Sequence, residues 1–177
     1  LRIYGYDNIK AEPLPKLPTI GKPSLSVVQQ RAYVSRRILA SRGFMEACSF
    51  SFLPQKQAVM FGGGAEALQL QNPISEDLST MRPSLLPNLL AAAKKNIFRG
   101  AKNIALAEVG LQFTEVGERM VASGPRTGMH LYYIHGEQFQ KCTPPLDTFD
   151  TKAAALAVLQ TLGINKCDIT TDAPAWY

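Results

Sequence analysis

At 177 residues, with 46% hydrophobic and 19% charged residues, the chain has the make-up of one large folded domain and not of a disordered segment. No apolar run approaches the roughly 20 residues of a membrane span, and LRIYGYDNIK lacks the charged-then-apolar order of a signal peptide. Nineteen basic residues against fourteen acidic ones give +5, which reads as solubility before nucleic-acid binding, because nucleic-acid readers gather charge on one face.

The chain opens without an initiator methionine, in what reads as the middle of a folded segment, and is expected to be a piece of something larger. Pro13, Pro15, Pro18 and Pro23 favour an extended strap, so residues 1–23 read as the tail of a preceding domain and its linker. A helix follows, capped by Ser24 or Ser26, with Val27, Val34 and Ile38 at helical spacing and Gly43 placed to end it. In FMEACSFSFL, Cys48, Phe50 and Phe52 alternate with Ala47, Ser49 and Ser51, the period of a half-buried strand that Pro54 stops.

Gly62 to Gly64 predict a turn, EALQLQ a short strand, and Asn72-Pro73 its end. Leu86, Leu89, Leu90, Ala93 and Ile97 share one helical face, Ser84 is placed to cap that helix, and Gly100 closes it. IALAEVGLQF predicts a strand with a bulge at Gly110, and Glu115 to Glu118 a hairpin turn. MHLYYIHG predicts another strand, Phe149 to Leu162 a helix capped by Asp147 or Thr148, and CDITT a last short strand. Hairpin-length loops without regular βαβ alternation predict an α+β fold, an antiparallel sheet flanked by helices.

Most candidate chemistry reads as plain structure. Gly21-Lys22-Pro23-Ser24 lacks the spacing of a phosphate loop, and its proline removes a donor. His130 and His135 point to opposite faces of one strand, so they cannot jointly hold a metal, and Cys142 has no acidic orienter to complete a nucleophile–base pair. Cys48, Cys142 and Cys167 form neither a disulfide framework nor a metal pair, which fits a reducing cytoplasm. Lys94, Lys95, Arg99 and Lys102 are a candidate nucleic-acid contact.

RIYGYDNI, RRILASRGFMEACSFSFLP and LQNPISEDLSTMRPSLLPNLLAAAKKNIFRGAKNIALAEVG, with DTFDTKAAALAVLQTLG looser behind them, resemble the β-subunit family of bacterial phenylalanyl-tRNA synthetases. The resemblance implies the class II synthetase catalytic-like fold over residues 24–177, truncated at its C-terminus, in a subunit that does not itself perform the chemistry. It implies an α subunit that attaches phenylalanine to tRNA with ATP and magnesium, an α2β2 assembly, and tRNA bound through the holoenzyme. The magnesium-binding acidic cluster of the family lies upstream of this chain, so no catalytic, cofactor or metal residue is expected here.

Where catalytic relatives carry an arginine after Glu-hydrophobic-Gly, this chain has Leu111. That speaks against the alternative of an active ATP-dependent ligase. The family's first motif, here Val27 to Pro54, implies a subunit interface, with Arg36, Arg37, Phe50, Phe52, Pro54 and Arg82 as candidates. Phe50 and Phe52 fit internal core equally well. Arg82, held out of helical geometry by Pro83, is expected to tie its loop to the sheet or to a neighbouring subunit in preference to binding a substrate.

Overall fold

The computed structural model describes residues 1–15, 21, 23–129, 132–134, 137–139, 145–170 and 172. The first helix, α1 (Val27–Ser41), starts at Ser26, whose side chain accepts from the Gln29 amide while Gln29 answers the Ser26 amide in a capping box. It ends in a Schellman motif. Gly43 takes φ 81°, its amide donates to Ala40 and the Phe44 amide to Leu39, whose side chains then meet in the core. The same pair of bonds closes α3 (Leu86–Phe98) at Gly100 and α4 (Thr148–Thr161) at Gly163. Asp147 caps α4 through the amides of Phe149 and Asp150.

The central strand is β4 (Ile104–Thr114). On one edge it pairs in parallel with β1 (Met45–Glu46), and on the other antiparallel with β5 (Gly117–Ser123) and β6 (Arg126–Thr127). The sheet is therefore mixed where a purely antiparallel one was expected. A parallel neighbour needs a long crossover, and residues 47–103, including α3, supply it.

β5 and β6 keep one register along β4, since Glu108 faces Ser123 and Ala105 faces Arg126 with the same offset. The ladder breaks only at Gly124-Pro125. The Leu106 amide donates to the Pro125 carbonyl, but proline has no N–H to return the bond.

Alternation on β4 divides the core. Ala105, Ala107 and Val109 pack with Ala32, Leu39, Ala154 and Val158 of α1 and α4. Ile104 and Leu106 pack on the opposite face with Leu85, Leu89 and Ala93, at and within α3.

The segment expected to be one long strand divides in two. Met45–Glu46 belongs to the main sheet, whereas β2 (Phe52–Leu53) pairs antiparallel with β3 (Thr80–Met81) in a separate ribbon. Pro54 begins a short helix, α2 (Gln55–Met60), that the sequence reading missed. EALQLQ holds a 3-10 turn, Glu66–Leu68, and only a single bridge from Gln69 to Thr80 in place of a strand.

Two further strands, β7 (Tyr132–Ile134) and β8 (Glu137–Phe139), form a hairpin of their own inside and just after MHLYYIHG. Residues 167–170 of CDITT carry no strand, and Thr171 lies outside the described residues. His130, His135, Cys142 and Pro18 also lie outside them. No helix among the described residues is long and apolar enough to cross a membrane.

Candidate functional site

The opening of α3 is the chemically distinctive part of the molecule. Pro83 follows Arg82, Ser84 Oγ accepts from the Leu86 amide, and Pro87 sits in the first turn, where it needs no N–H partner. Ser84 thus serves the helix start as expected, although the cap position itself is Leu85.

Arg82 does not project outward. It is 3% exposed, and its Nη1 lies 2.7 Å from Glu108 Oε1 in the middle of β4. Its Nε donates to the Leu111 carbonyl at 2.8 Å and Nη1 to Ser49 Oγ at 3.0 Å. Ser49 Oγ in turn donates to Glu108 Oε2 at 2.6 Å, so both carboxylate oxygens are engaged. The backbone continues the tie, with the Arg82 amide donating to Ser51 and the Arg82 carbonyl accepting from Phe113. One residue therefore joins the β2–β3 ribbon to the main sheet.

Gly110 makes room for this cluster. A Cβ there would stand 2.7 Å from Arg82 Nη2 and 3.2 Å from Glu108 Oε1. The expected bulge is absent, because β4 and β5 pair without interruption from Glu108 to Thr114. The glycine signal was real, but its cause is close approach of a guanidinium. Glu108, Ser49 and Gly110 are the members of this cluster that sequence reasoning did not connect. A lone acid inside the apolar run IALAEVGL was the available signal, since a buried carboxylate demands a partner.

The other candidates scatter around this centre. Arg36 donates to the Val109 carbonyl, and its Nε lies 2.9 Å from Glu46 Oε1, near enough to pair in charge but not aligned as a hydrogen bond. Arg37 is exposed, with its guanidinium 5.8 Å from the Tyr33 ring centre. Phe50 is 71% exposed, which removes it from the core, while Phe52 and Pro54 are half-buried. Cys48 also faces outward, so the small residues of 47–51 turn inward, where Ser49 meets the ion pair.

The β4–β5 connection is two residues, Glu115 and Val116. A cleft of about 820 Å³ between α1, α4 and β5 is lined by apolar side chains such as Leu39, Met120 and Val158, with Arg31, Arg119 and Arg126 as its charges. No group of three potential metal ligands occurs among the described residues.

Residues 11–177 match the family model described as the phenylalanyl tRNA synthetase beta chain CLM domain. The chain belongs to this family. This CLM domain is 46% identical, over its whole length, to the phenylalanine--tRNA ligase beta subunit of Paramagnetospirillum magneticum. It is 43% identical to that of Bartonella henselae and 41% to that of Mesorhizobium japonicum, again over its whole length. It spans 22% of the first relative and 23% of the other two, less than a quarter of each.

Among solved structures, a pyrrolysyl tRNA synthetase from Desulfitobacterium hafniense superposes with a TM-score of 0.56 at 16% identity. That match covers 84% of this chain and 50% of the other. The CLM domain thus has an α+β fold, a mixed sheet flanked by helices, related to that of a tRNA synthetase.

Proposed function

We propose that this CLM domain is a supporting, subunit-interaction domain of a phenylalanyl-tRNA synthetase β subunit. It holds the α subunit, which attaches phenylalanine to tRNA using ATP and magnesium, in a cytoplasmic α2β2 assembly that binds tRNA. The layout is that of a class II catalytic-like domain whose own chemistry is silent. Arg36, Arg37, Phe50, Phe52 and Pro54 lie in or around the contact face, and Arg82 shapes that face from within.

One observation supports the silent reading above the others: the cation on the α3 loop is consumed internally. A synthetase must present fixed positive charge to phosphates and to an acyl carboxylate. Here Arg82 is satisfied by Glu108, Leu111 and Ser49. Leu111 offers no charge, and a two-residue connection after Thr114 leaves no loop to wrap a nucleotide. At the α3 loop and the β4–β5 turn, the described residues offer ATP neither a free cation nor a covering loop.

Equilibrium dialysis of ATP with magnesium against the complete β subunit tests this. No saturable binding that depends on residues 24–177 is expected. Saturable binding abolished by Arg82→Ala, in a subunit that remains folded, would overturn the silent reading in favour of an active ligase.

A further inference from the structure

The face of α3 turned away from the sheet is not built like a solvent face. Leu85, Leu89 and Ala93 meet the core, while Leu90, about 100° around the helix from Leu89, is 45% and Phe98, about 180° around, is 79% exposed. Met60 of α2 stands beside them at 67% exposed, and the two helices border a groove of about 660 Å³ that Pro87 and Ala91 also line. A surface helix ordinarily keeps large apolar side chains off that face, and contiguous ones mark an interaction site.

The groove's charges are of one sign. Lys94, Lys95 and Arg99 line it, no aspartate or glutamate does, and none of the three pairs with a carboxylate among the described residues. Lys94 Nζ lies 5.7 Å from the Phe98 ring centre, so cation and aromatic form one surface. The face continues toward Phe50, whose carbonyl accepts from Asn88 Nδ2 at 2.8 Å, and Ala91 borders both this groove and the hollow beside Phe50.

We propose that the α2–α3 face docks an amphipathic helix of the α subunit, one whose apolar strip is flanked by aspartate or glutamate. The inference rests on the assembly proposed above and adds the face and the chemistry of the contact. Charge complementarity selects the acidic flanks, and the aliphatic floor of Met60, Pro87 and Leu90 selects a helix. A nucleic-acid strand would use the lysines for its phosphates but has no comparable use for that floor.

The test uses the complete β subunit assembled with its α subunit. Phe98→p-benzoylphenylalanine, irradiated in the complex, is expected to cross-link to an α-subunit peptide with apolar residues flanked by acids. Lys94→Glu with Lys95→Glu is expected to weaken subunit association at least tenfold at low salt, with a smaller loss at high salt. If the subunits assemble but position 98 makes no cross-link and the charge reversal changes nothing, this inference fails while the supporting role stands. A cross-link to tRNA in place of protein also overturns it. If the unaltered subunits do not assemble at all, the supporting role fails with it.

Discussion

Arg82 Nη1 and Glu108 Oε1 stand 2.7 Å apart with side chains only 4% and 7% exposed, joining residues 26 positions apart into one buried ion pair. Removing one member of such a pair leaves an uncompensated buried charge, which costs about 3–5 kcal/mol. Arg82→Ala and Glu108→Ala are each expected to destabilise the chain on that scale in urea denaturation. Arg82→Met combined with Glu108→Leu should recover most of the loss, because no charge is then stranded. A double variant as unstable as the sum of the single ones would show that the pair is not the source of the effect.

Gly110 reports on the same cluster from below. Gly110→Ala places a methyl group against the guanidinium and should cost about 1–3 kcal/mol, the usual range for overpacking. In an Arg82→Ala background the nearer obstacle is gone and Glu108 Oε1, 3.2 Å away, is the tightest contact left, so the added penalty should fall clearly. Thermal unfolding of the four proteins gives the coupling directly. A penalty independent of Arg82 would assign the glycine to backbone conformation.

Thr80 is fully buried on β3, and its Oγ1 has no hydrogen-bond partner among the described residues. Thr80→Val keeps the shape and removes the orphaned hydroxyl, so stability should be unchanged or rise by about 1 kcal/mol. A clear loss of stability on the same denaturation curve would mean that the hydroxyl has a partner.

Both capping boxes carry a measurable share of helix stability. Ser26→Ala and Asp147→Ala should each cost about 0.5–2 kcal/mol, whereas Asp147→Asn should be milder because asparagine still accepts from the first-turn amides. Equal losses for Asn and Ala at 147, followed by circular dichroism, would contradict the capping geometry.

The three long helices, α1, α3 and α4, were legible in the sequence because each carries its own start or stop signals. Ser26 with Gln29 starts α1, Asp147 with Asp150 starts α4, and Gly43, Gly100 and Gly163 stop α1, α3 and α4. Such signals act over three or four residues and need no tertiary partner. The sheet was less legible because pairing is decided at long range. The alternation through Cys48, Phe50 and Phe52 has a strand's period, yet the chain leaves β4 after Ala47 and rejoins a ribbon with Thr80–Met81.

Nothing local says that Phe50 turns outward. The reason lies at Glu108, whose ion pair needs the small Ser49 on the inner side. The centre of the site was half-legible: Arg82 stood out, its tie to the sheet was one of two readings, and its partner was 26 residues away. The α2–α3 face was legible only as a basic cluster, because α2 itself went unrecognised.

The most direct test of the supporting role is sedimentation of the complete β subunit with its α subunit, using variants that leave the fold intact. Arg36 is a poor choice for charge reversal, since it is held by Glu46 and the Val109 carbonyl and its loss would disturb α1. Arg37→Glu and Phe50→Ala change exposed side chains instead. A stable mixed species that both changes weaken, with unaltered circular dichroism, is the predicted result. No mixed species, or one whose affinity ignores both changes as well as the α2–α3 variants, would contradict the account.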